Sequence, residues 1–320
     1  MNSNELADEI INGRRLTSSD SFTFNLFKNI PLEELCIAAD KIQKHFQKDR
    51  VELCAITSGK NGKCSENCKF CAQSSWYKTN CHVQDYPSPE ELLQIALEHS
   101  GKGIKRFSIV SSGKGILQKD YQKVLDSFAL IHKNTEFNLC ASLGFLTDEQ
   151  LAALKRSGVS RIHCNLETSK RYFPKICTTH SFEMKIDMIK RVKAAGFSIC
   201  SGGIIGMGET IEDRIDFALT LAELKVDSIP VNVLNPIPGT PFEKLSHLSE
   251  EEIMQAIAIF RFINPQADIR LAGGRTLYNF TRAFTSGASS SITGNYLTTS
   301  GYSVESDKKI LMALGKEITV

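Results

Sequence analysis

Eight short apolar or β-branched runs, each followed by a stretch with helical periodicity, fill residues 51–314. The short runs, at 51–58, 106–112, 137–143, 161–166, 198–203, 228–234, 268–273 and 290–294, predict strands. Helices are expected at 89–100, 119–132, 147–156, 182–195, 211–224, 249–262, 277–285 and 305–314. Several open on start signals, with Ser88, Thr147 and Ser249 standing ahead of acidic or amide residues that can complete a cap. Strand–helix units of about 33 residues pair in parallel through right-handed crossovers, and eight of them can close into a (β/α)8 TIM-type barrel. An open doubly wound sheet is the alternative. Residues 1–45 read as an N-terminal helical extension and 46–320 as the barrel, with no Pro-, Gly- or Ser-rich linker dividing the chain.

A composition of 42% apolar and 23% charged residues excludes disorder. The balance of 38 basic against 36 acidic side chains offers no footprint for nucleic acid or an acidic membrane. The first residues, MNSNELADEIINGRRL, lack the apolar core of a secretory signal, and no run reaches the length of a membrane span, so the cytoplasm is expected. In that reducing compartment the ten cysteines are not a disulfide framework. Metal ligation, catalysis and plain burial remain, and spacing has to sort them.

Cys64, Cys68 and Cys71 form C-x3-C-x2-C directly after the first expected strand, which in a barrel is the mouth where active sites are built. Three thiolates on a short loop can hold three irons of a [4Fe–4S] cube and leave the fourth iron open. That open iron can chelate S-adenosylmethionine for one-electron cleavage. The competing readings are a zinc site with His82 as fourth ligand, or three unrelated buried thiols. Structural zinc sites usually carry two C-x2-C pairs or a Cys2His2 spacing, and no second pair follows here.

The segments CSENCKFCAQSSWYKTN (64–80), HCNLETS (163–169), ICSGGIIGMGET (199–210), IPVNVLNPIPGTP (229–241), IRLAGGR (269–275) and TSGASSSITGNYLTT (285–299) resemble the radical S-adenosylmethionine superfamily and, within it, the biotin synthases. The cysteine triplet is common to the superfamily; the other runs together are specific. The resemblance implies a full (β/α)8 barrel, a homodimer, and conversion of dethiobiotin to biotin by radical sulfur insertion. A one-electron donor such as flavodoxin or ferredoxin would serve it. Cys64, Cys68 and Cys71 then ligate the [4Fe–4S] cluster that cleaves S-adenosylmethionine. Phe70, Arg106, Asn165, Glu167 and Lys185 are the implied cofactor-binding residues, and Asn165 and Asn232 the substrate-binding ones. Glu167 stands where the family has Asp, and Lys185 replaces an arginine, keeping charge but losing a planar fork. Independently of the resemblance, strand alternation puts His163, Asn165 and Glu167 on one face, as lumen-facing groups require. Hydrogen-bonded core or rim polars are the plainer reading of those three.

The best-known biotin synthases hold a second, [2Fe–2S] cluster deep in the barrel on three cysteines and an arginine. Cys140, Cys200 and Arg270 match three of these positions, and with the mouth triplet they complete the implied catalytic set. The fourth position is Ser108, a poor iron ligand. Cys54, on the neighbouring strand, falls where the family commonly has serine, as if the thiolate had moved. The auxiliary ligand set expected is therefore Cys54, Cys140, Cys200 and Arg270, around either a [2Fe–2S] cluster or a four-iron cluster carrying an extra sulfide. Cys164 competes with Cys54 but should face the outer helices. Cys36, Cys81 and Cys177 read as structural or incidental. Gly202, Gly203, Gly206 and Gly208 lack the order of a dinucleotide fingerprint and instead allow close backbone approach. Pro236, Pro238 and Pro241 shape a loop, as plain turn residues or as part of a substrate lid. Two other functions compete: a related barrel such as a hydrogenase-maturation enzyme, and a non-catalytic iron–sulfur carrier.

Overall fold

The computed structural model describes residues 2–294 and 302–319. Residues 295–299 of the last resemblance segment fall outside that range. Ten strands form one sheet: β1 (Arg50–Ser58), β2 (Arg106–Val110), β3 (Asn138–Ser142), β4 (Val159–His163), β5 (Ser198–Cys200), β6 (Gly203–Ile205), β7 (Ser228–Val233), β8 (Asp268–Leu271), β9 (Ser290–Ile292) and β10 (Glu317–Thr319). β5 and β6 are two pieces of one barrel strand, interrupted at Ser201 and Gly202, and both pair with β7. β9 pairs with β1, so eight parallel strands close and the open-sheet alternative falls away.

Three helices precede the barrel, α1 (Ser3–Ile11), α2 (Ser21–Asn29) and α3 (Leu32–Gln47). The apolar stripe of α3, which includes Leu35, Ala38, Ala39 and Ile42, is fully buried; this helix packs between α1 and α10, so the extension rides on the outer layer of the barrel. The remaining helices are α4 (Pro89–His99), α5 (Tyr121–Asn134), α6 (Asp148–Arg156), α7 (Phe173–Ile176), α8 (Phe182–Ala194), α9 (Ile211–Glu223), α10 (Glu250–Ile263), α11 (Phe280–Phe284) and α12 (Val304–Ala313). α4, α6, α9 and α10 begin with complete capping boxes on Ser88, Thr147, Thr210 and Ser249. Each box satisfies backbone donors that would otherwise be orphaned at a helix start.

Three local expectations change. The strand expected at 161–166 begins at Val159 and ends at His163, because Glu167 adopts φ +72° and breaks the regular ladder. The helix expected at 277–285 divides into a 3-10 turn, Arg275–Leu277, and the short α11. β10 had no signal beyond two β-branched residues, and it forms by pairing with the first residues of β1.

The ladder fixes the stagger of the barrel. From Cys54 it crosses Arg106 to Asn138, two residues before Cys140; from Cys140 it crosses Arg161 to Ser198, two before Cys200. From Cys200 it crosses Ser228 to Asp268, two before Arg270; from Arg270 it crosses Ser290 to Glu52, two before Cys54. Four steps of two residues make the eight-residue stagger of a TIM-type barrel, in which alternate strands supply the four side chains of each interior layer.

Candidate active site

That stagger assigns Cys54, Cys140, Cys200 and Arg270 to a single interior layer. All four line a cavity of about 150 Å³ inside the barrel. Ser108, His163, Pro230 and Ile292 make the next layer toward the mouth and line the same cavity. Ser108 therefore lies one layer above the thiols, paired with Ile56 rather than Cys54. Cys164 is absent from this lining and packs in the hydrophobic core on the outer side of the sheet.

Beneath the thiols is a charged floor that sequence reading did not anticipate. Glu52 Oε1 accepts from Arg270 Nη2 at 2.6 Å and from Arg161 Nη1 at 3.4 Å, and both carboxylate oxygens accept from Arg106 Nε at 2.9 Å. Burial alone would raise the Glu52 carboxyl, but the three guanidiniums outweigh it and hold it down to about 2. Arg106, grouped above with the cofactor-binding residues on the strength of resemblance, belongs to this floor and not to the mouth. The only hint of Glu52 in the sequence was an acidic residue within an apolar strand. Arg270 Nε donates to Ser228 Oγ at 3.1 Å, while its Nη1 is buried with no partner among the described residues. A buried guanidinium nitrogen without a partner, on a residue that shares its layer with three thiols, fits an electron-rich group bound there, since leaving such a donor unsatisfied costs about 1–3 kcal/mol or more.

The thiols differ in their surroundings. Burial pushes Cys54 up to about 12 and raises Cys140, where Arg106 and Arg161 oppose it. Cys200 is buried too, but His163, in hydrogen-bond contact, and Arg270 and Arg161 bring it down to about 7. An anionic ligand is therefore already favoured at Cys200, and the arginine floor compensates the charge that further thiolates would bring.

At the mouth, Cys64, Cys68 and Cys71 are half-buried on one loop. Cys64 N–H donates to Gln73 O at 2.9 Å and Ser75 N–H to Cys64 O at 2.8 Å, while Cys71 N–H closes a turn on Cys68 O at 3.0 Å. Burial raises Cys71 to about 12, with Cys64 adding to the effect. Three cysteine sulfurs on one short loop fit an iron–sulfur cluster on donor chemistry. Phe70 and Cys71 line a second cavity of about 280 Å³, which shares Ile56, Asn232 and Ile292 with the interior one. The two cavities thus adjoin along the barrel axis.

Asn165 lines the interior cavity, and its Nδ2 donates to Glu167 Oε2 at 3.3 Å, although Glu167 itself lines neither cavity. A Cβ on Gly203 would lie 2.2 Å from Glu167 O, so only glycine allows β6 to pass here. Burial raises the Glu167 carboxyl, with Lys185 and His163 opposing. Lys185 lines neither cavity; burial works against its charge, Cys164 and Glu167 outweigh that, and its ammonium lies 5.3 Å from the Phe145 ring centre. Asn232 is fixed by backbone on both sides, donating to Gly203 O and accepting from Gly273 N–H, each at 2.9 Å. Cys36 packs in the core and Cys81 is partly exposed. Cys177, expected to be incidental, sits against Cys68 and His180. No described helix is long and apolar enough to cross a membrane.

A closed parallel barrel with three thiols on the loop after its first strand defines a class. The Radical SAM superfamily model matches residues 61–221, and the Biotin and Thiamin Synthesis associated domain matches 230–317. Among solved structures, methylornithine synthase superposes with a TM-score of 0.84 at 19% identity, covering 98% of this chain and 97% of the other. The [FeFe]-hydrogenase maturase of Carboxydothermus hydrogenoformans gives 0.79 at 18%, covering 98% and 79%; at these identities the likeness concerns the fold. Over 98% of this chain and 99% of each relative, it is 49% identical to biotin synthase of Alkaliphilus metalliredigens and 48% to that of Clostridium beijerinckii. The chain belongs to the biotin synthase family.

Proposed function

We propose that this chain converts dethiobiotin to biotin, with Cys64, Cys68 and Cys71 holding a [4Fe–4S] cluster at the mouth and Cys54, Cys140, Cys200 and Arg270 holding an auxiliary iron–sulfur cluster inside the barrel. When bound, the first cluster supplies the electron that cleaves S-adenosylmethionine and the second supplies sulfur. The chain's own work is placement. In this reading the cosubstrate takes the cavity at the mouth and dethiobiotin the junction below it, beside Asn232, with Asn165 on the interior wall and Glu167 behind it as the acceptor of Asn165's amide. Phe70 offers an aromatic face on the cavity wall. Asn232, held by backbone at both ends of its amide, keeps one donor and one lone pair for a ligand. Apolar walls at Ile56 and Ile292 exclude water from the junction.

The observation that carries the auxiliary assignment is the single layer of three thiols and one arginine whose Nη1 lacks a partner among the described residues. With Cys54 in place of a thiol at position 108, we read the group as a four-iron cluster with an extra sulfide, whose donation need not dismantle the rest. A flavodoxin- or ferredoxin-type donor, a homodimer and a cytoplasmic setting complete the reading, with the division between extension and barrel, expected at residue 45, taken after α3 ends at Gln47.

The test is Cys54→Ser assayed anaerobically with dethiobiotin. Biotin formation is expected to stop while 5′-deoxyadenosine still forms; full biotin formation would overturn the ligand assignment. Absence of both products in the unmodified chain, against efficient cluster transfer to an acceptor protein, would favour the carrier instead.

A further inference from the structure

Cys177 is the C-cap of α7 and lines neither of the two cavities. Its Sγ, that of Cys68 and a ring nitrogen of His180 all lie within 4.8 Å of one another. Cys177 and His180 are buried, and Cys68 partly so. Cys177 Sγ is 3.4 Å from His180 Nδ1 and 3.8 Å from Nε2. A tetrahedral ion with metal–sulfur bonds of about 2.3 Å and metal–nitrogen bonds of about 2.0 Å separates those ligand atoms by roughly 3.5 Å, so little movement is needed.

The surroundings are those of a metal-binding histidine. His180 Nδ1 is 2.6 Å from Glu66 Oε2, a carboxylate only 6% exposed, which engages that nitrogen and leaves Nε2 as the one available to a metal. Glu66 also accepts from Thr179 Oγ1 at 2.7 Å. Asn67 Oδ1 accepts from the backbone N–H of Thr178 at 2.9 Å, and Lys69 N–H donates to Ile176 O at 2.9 Å. These bonds tie the 177–180 turn to the mouth loop, so the three ligand atoms are held by the fold and not by chance rotamers.

We propose that Cys68, Cys177 and His180 form a mononuclear site for one thiophilic divalent cation, ferrous or zinc ion in kind, with Glu66 orienting the imidazole and solvent free to complete the shell. Because Cys68 is also a member of the mouth triplet, this site and the [4Fe–4S] cluster exclude each other. It belongs to the cluster-free chain, where it gives a single iron a first foothold beside the three thiols, or lets zinc compete with cluster assembly.

The test is an anaerobic Co²⁺ titration of the cluster-free full chain carrying C64A and C71A, with and without C177A. Interior cysteines contribute equally to both, so the difference isolates the proposed site. The expected difference is about one Co²⁺ per chain, with the thiolate charge-transfer and intense d–d bands of four-coordinate cobalt. Glu66→Gln in the C64A/C71A background should weaken that cobalt roughly 10–100-fold while leaving two thiolates in the spectrum. Superimposable titrations with and without C177A would overturn the site. If C177A fails to fold, judged by circular dichroism, His180→Gln replaces it: a weakened cobalt site supports the assignment, and an unchanged one refutes it.

Discussion

The two cysteine sets of this barrel are built on opposite principles. The mouth set takes Cys64, Cys68 and Cys71 from one loop, half-buried, with backbone turns fixing their spacing. The interior set takes Cys54, Cys140 and Cys200 from the first, third and fifth barrel strands, fully enclosed, over a floor of three arginines and one glutamate. A loop can carry its ligands anywhere it is grafted. A layer exists only when the barrel closes with the right stagger, so the interior set is a property of the whole fold.

This difference predicts how each set breaks. The largest effect is expected from Cys71→Ala, which should abolish 5′-deoxyadenosine formation while leaving the interior iron in place, read by iron analysis of the anaerobically reconstituted protein. Loss of interior iron as well would tie the two sets together.

Next comes Glu52→Gln. It leaves three buried guanidiniums without their shared carboxylate, and breaking such a network costs about 3–5 kcal/mol, measurable by denaturant unfolding of the cluster-free protein. A cost below about 1 kcal/mol would mean the floor is solvated and does not brace the layer. The pH dependence has a definite sign. The Glu52 carboxyl is lowered from 4.5 to about 2, so its contribution is present above pH 4.5 and is lost as pH falls toward 2. The unmodified cluster-free chain should show that acid limb, and Glu52→Gln should flatten it.

The smallest effect is expected at Ser108. Its hydroxyl lies one layer above the thiols, so Ser108→Ala should change stability by less than about 1 kcal/mol and leave the interior iron content unchanged. Loss of that iron would make the serine a ligand and contradict the layer.

The same contrast explains what was legible in the sequence. C-x3-C-x2-C is a local pattern, readable because loop ligands are close in number as well as in space. Strand alternation likewise predicted a common face for His163, Asn165 and Glu167; the first two line the interior cavity, whereas Glu167, at φ +72°, lines neither cavity. The Cys54/Ser108 exchange was visible only against a family pattern. Its meaning required the pairing register, which places Cys54 level with Cys140 and Cys200 and sets Ser108 apart. Glu52 escaped notice because nothing in one strand announces that three arginines from three others converge on it. Cys177 and His180 escaped for the same reason: they lie more than 100 residues from Cys68, and only the packing of α7 brings them to it.

The most direct measurement is Mössbauer spectroscopy, with iron and sulfide analysis, on anaerobically reconstituted C64A/C68A/C71A protein, with and without C54A. The mouth set is removed from both, so the remaining iron reports the interior layer alone. The account predicts about four irons per chain with sulfide in excess of iron, and their loss when Cys54 is also replaced. Retention of the cluster in the C54A protein, or about two irons with [2Fe–2S] parameters, would contradict it.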